Sequence, residues 1–334
     1  MKTYQRLERH KMHKIAREKP SLLKRTLNHL YWGKRLSMAK IGKLLEVDAA
    51  TICRYMKKLG IESRSLSEAS TKYPKSPFSG STTEMAYLLG LMGDIHARYH
   101  RLQVDISLTT THPAMIRLFE SCFGKYGHVN KYPMLNPNLN YYEWHCYCNL
   151  HPSFSFLMVR NQNLSEWMLN DDNLFYWYLS GLIDSEGFIT VGKCKNKKQR
   201  HEYTRYLIGI SSTDLHLLNQ VAEKLCSLGY IVKIRVEVRS NKAFKEKKKV
   251  WSLRIERKPD VLNLMLNLKL HHQEKAEWKE LALEIAKQNS IHWNEVADRV
   301  IALRGRIKQE VQLCRKEAEK MYVAKHSTPV RPSL

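Results

Sequence analysis

The sequence predicts an α+β protein in which two pseudo-symmetric αββαββα halves follow a small all-α domain. Two internal alignments and one local pattern carry that prediction. "LTTTHPAMIRLFESCFGKYGHV" (108–129) aligns without a gap on "ISSTDLHLLNQVAEKLCSLGYIV" (210–232) at an offset of 102, with Thr111 on Thr213 and Gly127 on Gly229. "WHCYCNLHPSFSFL" (144–157) aligns on "WSLRIERKPDVLNL" (251–264) at an offset of 107, with Trp144 on Trp251 and Pro152 on Pro259. Each copy reads as a strand, a Ser/Thr-capped amphipathic helix, a glycine stop, alternating strands and a helix after the proline. Ahead of the repeats, helical spacing alone organises the first 65 residues.

Composition narrows the function. Hydrophobic residues at 43% and aromatics at 10% are enough to build cores, which excludes global disorder. No window approaches 18 unbroken apolar residues, so no membrane span is expected. "MKTYQRLERHKMHKIAREKP" is basic with no apolar stretch behind it, unlike a secretory signal, and a cytoplasmic location is expected. With 56 Lys+Arg against 32 Asp+Glu, a net charge of +24 calls for a polyanionic partner, nucleic acid before an anionic membrane. The seven cysteines lack paired spacing and read as reduced thiols; Cys146 and Cys148 share one strand face and pack there rather than bind zinc.

Residues 1–65 form the all-α domain. "SLLKRTLNHLYWGKR" is a helix with Ser21 as its N-cap. Ser37 then caps a helix to about Leu45, and Asp48 caps another to about Leu59, where Gly60 ends it. Ile41, Leu44, Val47, Ile52, Met56 and Leu59 supply the shared core. Two short helices joined by a tight turn are the helix-turn-helix pattern. The stretch resembles the helix-turn-helix domains that end in "KKLGI"; Glu46 stands where their turn usually carries glycine, so the turn is expected to be strained or rearranged. Ala50, Thr51, Arg54, Tyr55 and Lys58 line the exposed face of the second helix, the face such a domain turns to the major groove. Residues 66–83, rich in Ser, Thr, Pro and Gly, read as a linker.

The halves span 84–168 and 169–289, the second lengthened by a basic insertion, "KCKNKKQRHE" (193–202). Each opens on an apolar helix that finishes in carboxylates: "LLGLMGDIHA" (88–97) and "LSGLIDSEGF" (179–188). Together these segments resemble the LAGLIDADG homing endonucleases in their single-chain, two-motif form. The resemblance covers roughly residues 84–285, and "LSGLIDSEGF" carries it most specifically. A basic helical extension, 290–334, either braces the second half or adds phosphate contacts.

The resemblance implies a fold and a chemistry. The two motif helices pack together along the pseudo-two-fold axis, with Gly90, Ser180 and Gly181 letting the backbones approach. Leu88, Leu91, Leu179, Leu182 and Ile183 face the core of their own half. The eighth motif residue is the metal-binding acid, here Glu186, while Asp184 caps or pairs within the helix end. The first copy departs, because Gly181 to Glu186 is five residues and Gly90 to Asp94 only four, so Ile95 matches Glu186. One residue turns a helical side chain by about 100° and shifts it about 1.5 Å. Either Gly93 loosens the last turn so that Asp94 reaches the site, or the helix is read one register earlier; Asp94 is preferred as the acid over a degenerate first site.

Mg²⁺ suits two carboxylates shared with phosphate oxygens. Arg160 and His271, with Lys269 beside it, match the family's basic position after the last hairpin. The sheets are expected along the major groove, with Lys193, Lys195, Lys197, Lys198, Arg200, Arg205, Lys233, Arg235 and Arg239 as phosphate and base contacts. The implied function is Mg-dependent, site-specific double-strand DNA cleavage across the minor groove by a monomer. Two other activities fit such a chain: an RNA-splicing maturase that binds intron RNA, and a DNA-binding regulator with a degenerate core.

Overall fold

The computed structural model describes residues 9–64, 73–100, 102–137, 139–158, 164–195, 202–239, 248–288 and 293–326. They fall into two compact units, Met1–Lys72 and Tyr73–Leu334.

In the first unit, α1 (Arg9–Glu18) and α2 (Pro20–Asn28) precede a π-helical turn, His29–Gly33. Lys19, not Ser21, is the N-cap of α2, because Pro20 takes the first helical position, where a missing N–H costs nothing. Helices α3 (Met38–Leu45) and α4 (Ala49–Lys58) are capped as the sequence predicts: Ser37 Oγ accepts from Lys40 N at 3.2 Å and Asp48 Oδ1 from Thr51 N at 2.5 Å. Leu23, Leu27, Ile41, Leu45, Ile52 and Met56 form the core. Leu44 is exposed instead of buried, since Ile41 and Leu45 share one helix face and Leu44 falls about 100° away. The end of the unit is pinned by Arg64, whose guanidinium donates to the carbonyls of Arg35 and Leu36 and lies over the Tyr31 ring.

Glu46 closes α3 with φ at +56°, in the left-handed region where a side chain is strained. Glu46→Gly is therefore expected to stabilise this unit by about 1 kcal/mol. Urea unfolding followed by helical circular dichroism measures it.

The second unit is built twice. The first half runs α5 (Thr82–Leu91), β1 (His96–His100), β2 (Gln103–Thr110), α6 (Pro113–Phe123), β3 (Val129–Asn136) and β4 (Tyr141–Leu150). Its last helix is reduced to a 3₁₀ stretch, Pro152–Met158, and a four-residue helix, α7 (Glu166–Leu169). The second half repeats the order with α8 (Asp172–Glu186), β5 (Gly187–Lys195), β6 (Glu202–Ser212), α9 (Leu215–Ser227), β7 (Val232–Arg239), β8 (Lys248–Ile255), α10 (Lys258–Asn267) and α11 (Gln273–Lys287). The two antiparallel sheets are ordered β1-β2-β4-β3 and β5-β6-β8-β7. Register bears out the internal alignments: Thr110 pairs with Trp144, and Ser212 with Trp251. The helices after β2 and β6 start from His112 and Asp214 rather than from the expected Ser or Thr, and the Thr110 and Ser212 hydroxyls accept from the amides of those two caps.

Each half has its own core. One is centred on Leu88, Leu91, Phe119, Phe123, Trp144 and Phe154, the other on Leu179, Leu182, Ile183, Ile208, Ile210 and Leu253. The expected linker is shorter than 66–83. Phe78 packs against Tyr126, Phe154 and Phe156, and Ser76 N donates to Tyr126 O, so aromatic burial draws this stretch into the first half. The extension is one long helix, α12 (Trp293–His326). Val296 and Val300 enter the second core, while Cys314 and Ala318 enter the first. It therefore straps both halves, and a brace on the second half alone is too narrow a description. Among the described residues, no helix is long and apolar enough to cross a membrane.

Candidate active site at the paired motif helices

The site begins with the packing of α5 on α8. A Cβ on Gly90 would stand 2.8 Å from Leu182 N and closer still to Tyr178 O; a Cβ on Gly181 would stand 2.9 Å from Leu91 N and closer still to Tyr87 O. The two glycines thus accept each other's helix backbone in a reciprocal pair, as a two-fold seam requires. Ser180 is fully buried, but its hydroxyl donates to Tyr176 O and accepts from Lys269 N. It ties α8 to its own half, so of the three small residues expected in the seam, the reciprocal backbone approach belongs to the glycines.

Counted from this pair, Asp94 falls opposite Ser185, and Ile95 opposite Glu186. The structure resolves the mismatch by ending the helices differently. Helix α8 stays helical to Glu186 and Gly187 caps it, whereas α5 stops at Leu91 and residues 92–94 form a turn. Met92 N donates to Leu89 O at 3.3 Å, the tightened bond of a terminating turn. Ile95 is 1% exposed and joins the first core, leaving Asp94 outside it. A Cβ on Gly93 would meet Glu186 Cγ at 2.7 Å and Oε1 at 2.9 Å, so the Glu186 side chain lies directly against the residue before Asp94. The last turn of the first motif is thus loosened at residues 92–94.

The Asp94 charge acts on Glu186. Burial raises the Glu186 pKa, the Asp94 charge raises it further, and a hydrogen bond from Ser212 and the Lys275 charge oppose both. Asp94 is raised by desolvation of its carboxyl, although the residue as a whole is exposed; Lys275, His112 and His96 oppose the shift. Lys275 is thus a cation that acts on both acids, and it was absent from the sequence-level candidates. Its signal was a lysine in the first turn of α11, the second helix after the last hairpin, four residues past His271.

Lys275 Nζ donates to Ile183 O at 2.6 Å, Asp184 O at 2.7 Å and Ser185 O at 3.0 Å, all carbonyls of the last turn of α8. Burial of this ammonium lowers its pKa to about 8, with Asp184 and Asp94 opposing the shift. Asp184 is fully buried and does cap, but a different helix. Its Oδ2 accepts from Tyr87 Oη at 2.6 Å and from His271 N and His272 N at 2.7 and 3.1 Å, where α11 begins. Burial still raises its pKa.

The His271 ring is exposed; it stacks near Trp177 and meets Tyr87 edge-on. Lys269 is exposed, and its charge acts on Lys279. Arg160 lies outside the described residues. His272 is 4% exposed, and burial with the nearby Lys275, His112 and Arg117 charges lowers its pKa to about 3. From pH 6.5, the ordinary value, down to about 3, the unfolded chain binds a proton that the folded chain refuses. Stability present above that window is lost as pH falls through it. His272→Gln should remove one proton from this dependence, about 1.4 kcal/mol per pH unit, read from urea midpoints against pH.

The basic sheet residues separate into two faces. Arg205, Lys233 and Arg235 lie on the face of the second sheet away from its core, around one carboxylate, Glu256. Arg254 pairs with Glu237 on the same face. Lys193 points to the opposite face, because Gly192, not Lys193, pairs with Arg205, and it binds Glu202 at 2.5 Å. The backbones of Lys195 and Arg239 are in β5 and β7; Lys197, Lys198 and Arg200 lie outside the described residues. The matching face of the first sheet carries Tyr132, His145 and Tyr147 in mutual ring contact, and Thr109 bonded to His145.

On α4, Ala50, Arg54 and Lys58 are exposed. Thr51 is buried at 5%, beside the inward stripe of Ile52 and Met56, and Tyr55 packs on the core, so Cys53 and Lys57 belong to the open face instead.

Residues 176–269 match the family model described as a LAGLIDADG-like domain. No curated protein matches the chain in sequence. Among solved structures, the chain is similar to the I-SmaMI LAGLIDADG homing endonuclease bound to cleaved DNA, with a TM-score of 0.43 and 11% identity, covering 69% of this chain and 97% of that one. The I-LtrWI LAGLIDADG homing endonuclease bound to target DNA gives 0.39 and 14%, covering 66% and 96%. I-GzeII in complex with its DNA target gives 0.38 and 10%, covering 65% and 96%.

Proposed function

We propose that this chain, whose residues 176–269 match a LAGLIDADG-like domain, is a site-specific DNA endonuclease that hydrolyses both strands of a duplex. The observation that carries the reading is the meeting of Glu186 and the Gly93–Asp94 turn, one acid from each half, at the ends of two helices locked by reciprocal glycines. Partly desolvated carboxyls with raised pKa at a helix pair have a use when a cation joins them. Among the described residues, no group of three or more His, Cys, Asp or Glu side chains could cage a metal. Two convergent carboxylates are instead the donor set of Mg²⁺, which keeps its waters and takes phosphate oxygens from substrate. When bound there, it would polarise the phosphodiester and supply an activated water.

The chain's own groups do the rest. Asp94 and Glu186 would hold the cation, while Ser212 and Lys275 orient and balance Glu186. Duplex binding falls to the sheet faces: Arg205, Lys233, Arg235 and Arg254 in the second half, Tyr132, His145 and Tyr147 in the first. Excess positive charge supplies affinity without sequence information, and the uncharged rings and Thr109 supply selectivity. The N-terminal unit adds a second duplex contact through Ala50, Arg54 and Lys58. The chain works as a monomer, because it carries both copies of the motif.

The test is incubation of a supercoiled plasmid bearing the host insertion site with the protein and Mg²⁺. Linear product that disappears with EDTA supports the reading. Duplex binding without any cut at that site would assign the chain to regulation instead, and a nick alone would leave one acid idle.

A further inference from the structure

Helices α8 and α11 exchange caps. A helix end leaves its last four carbonyls short of partners, and Lys275, in the first turn of α11, donates to three of the four that end α8. Of these, Ile183 O also accepts from Gly187 N; Asp184 O and Ser185 O lie beyond the reach of that bond. At the start of α11, Lys275 N bonds His272 O, the N-cap His272 makes no side-chain cap, and the Asp184 carboxylate receives the amide of His272 and that of His271 just before it. A cation thus sits at a helix C-terminus and an anion at a helix N-terminus, the arrangement both dipoles favour, and each comes from the other helix. Asp184 Oδ2 takes both amides and the Tyr87 hydroxyl from the first half, while Oδ1 is buried without a hydrogen bond. Among the described residues of the first half, the position 107 residues before Lys275 is Met168, a buried apolar residue.

We propose that Lys275 and Asp184 act as one reciprocal cap that fixes the final turn of α8, making Lys275 the positioning residue that aims Glu186 toward the Gly93–Asp94 turn. The inference rests on the nuclease reading for its consequence, though the cap itself does not. Glu186 is the last helical residue of α8, and the Lys275 bonds end one residue before it. Frayed carbonyls there would release the Glu186 backbone from the geometry that lays its side chain over Gly93.

Charge and position make opposite predictions, which allows a test. Lys275→Met removes donor and charge at similar length; Lys275→Gln keeps an amide donor without the charge. Amide hydrogen exchange across residues 183–190 and Mn²⁺ binding by electron paramagnetic resonance are measured on the full chain, beside plasmid cleavage. Lys275→Met is expected to speed exchange in that segment and weaken Mn²⁺ binding, each by about tenfold. Lys275→Gln should stay within about threefold of the parent on both, which also covers the case in which the Met variant fails to fold. Asp184→Asn combined with Lys275→Met should cost no more than the worse single change, as expected for one coupled unit. Tighter Mn²⁺ binding by either Lys275 variant would show that the lysine contributes only repulsive charge and would overturn the proposal, as would unchanged exchange in Lys275→Met. If the parent protein cuts nothing yet the exchange result holds, the nuclease reading fails and the cap stands.

Discussion

Glu186→Gln and Asp94→Asn are each expected to lower DNA cleavage by at least about 10³-fold while duplex binding stays within about threefold, as the loss of several kcal/mol of metal-mediated stabilisation would give. Both substitutions keep the shape of the side chain. The amide that Glu186→Gln introduces would still lie against Gly93 and still meet Ser212, so a defect in cutting alone isolates the carboxylate charge. The Asp94 variant is the sharper of the two, because its spacing from Gly90 is one residue short of its counterpart's from Gly181. Gel assays that resolve supercoiled, nicked and linear plasmid separate the outcomes. Full double-strand cutting by Asp94→Asn would show that the first acid is another residue, and nicking by that variant would assign the two acids to different strands.

Gly181→Ala is expected to cost about 3 kcal/mol or more and to abolish cleavage. The added methyl would meet Tyr87 O and Leu91 N, main-chain atoms of a helix that cannot rotate away as a side-chain tip can. The helices would have to part, and that would separate Glu186 from Gly93. Gly305→Ala in α12 is the control: nothing lies within 4 Å of its Cβ position, so the same exchange there should stabilise by about 0.5–1 kcal/mol. Thermal unfolding of the two variants side by side measures both.

The duplication and its order of elements were legible because strand alternation, helix spacing and glycine stops recur at fixed offsets, and register pairs Thr110 with Trp144 as it pairs Ser212 with Trp251. Glu186 was legible by motif. Asp94 was legible only as a preference, since nothing local states that α5 ends three residues before it. That ending depends on Ile95 entering a core assembled from distant strands. Lys275 was missed because its partners are carbonyls, and backbone acceptors leave no trace in side-chain spacing. Thr51 and Leu44 were misplaced for a simpler reason: each borders a buried stripe, where a rotation of about 100° decides between inside and outside. The sorting of Lys193 from Arg205 required the strand register, which the basic insertion obscures.

The strap formed by α12 bears on the order in which this chain can be made. The indole N–H of Trp144 is buried and donates to Cys314 O, 170 residues later, and Ala318 fills the same core. A nascent chain exposes its N-terminal residues first, so the first half leaves the ribosome before the segment that pairs this donor and fills this core. Its core closes only when the second half has already emerged. The two copies of the ancestral unit have therefore ceased to be interchangeable parts: a first half cut at residue 168 and joined to another second half would lack the segment that completes it.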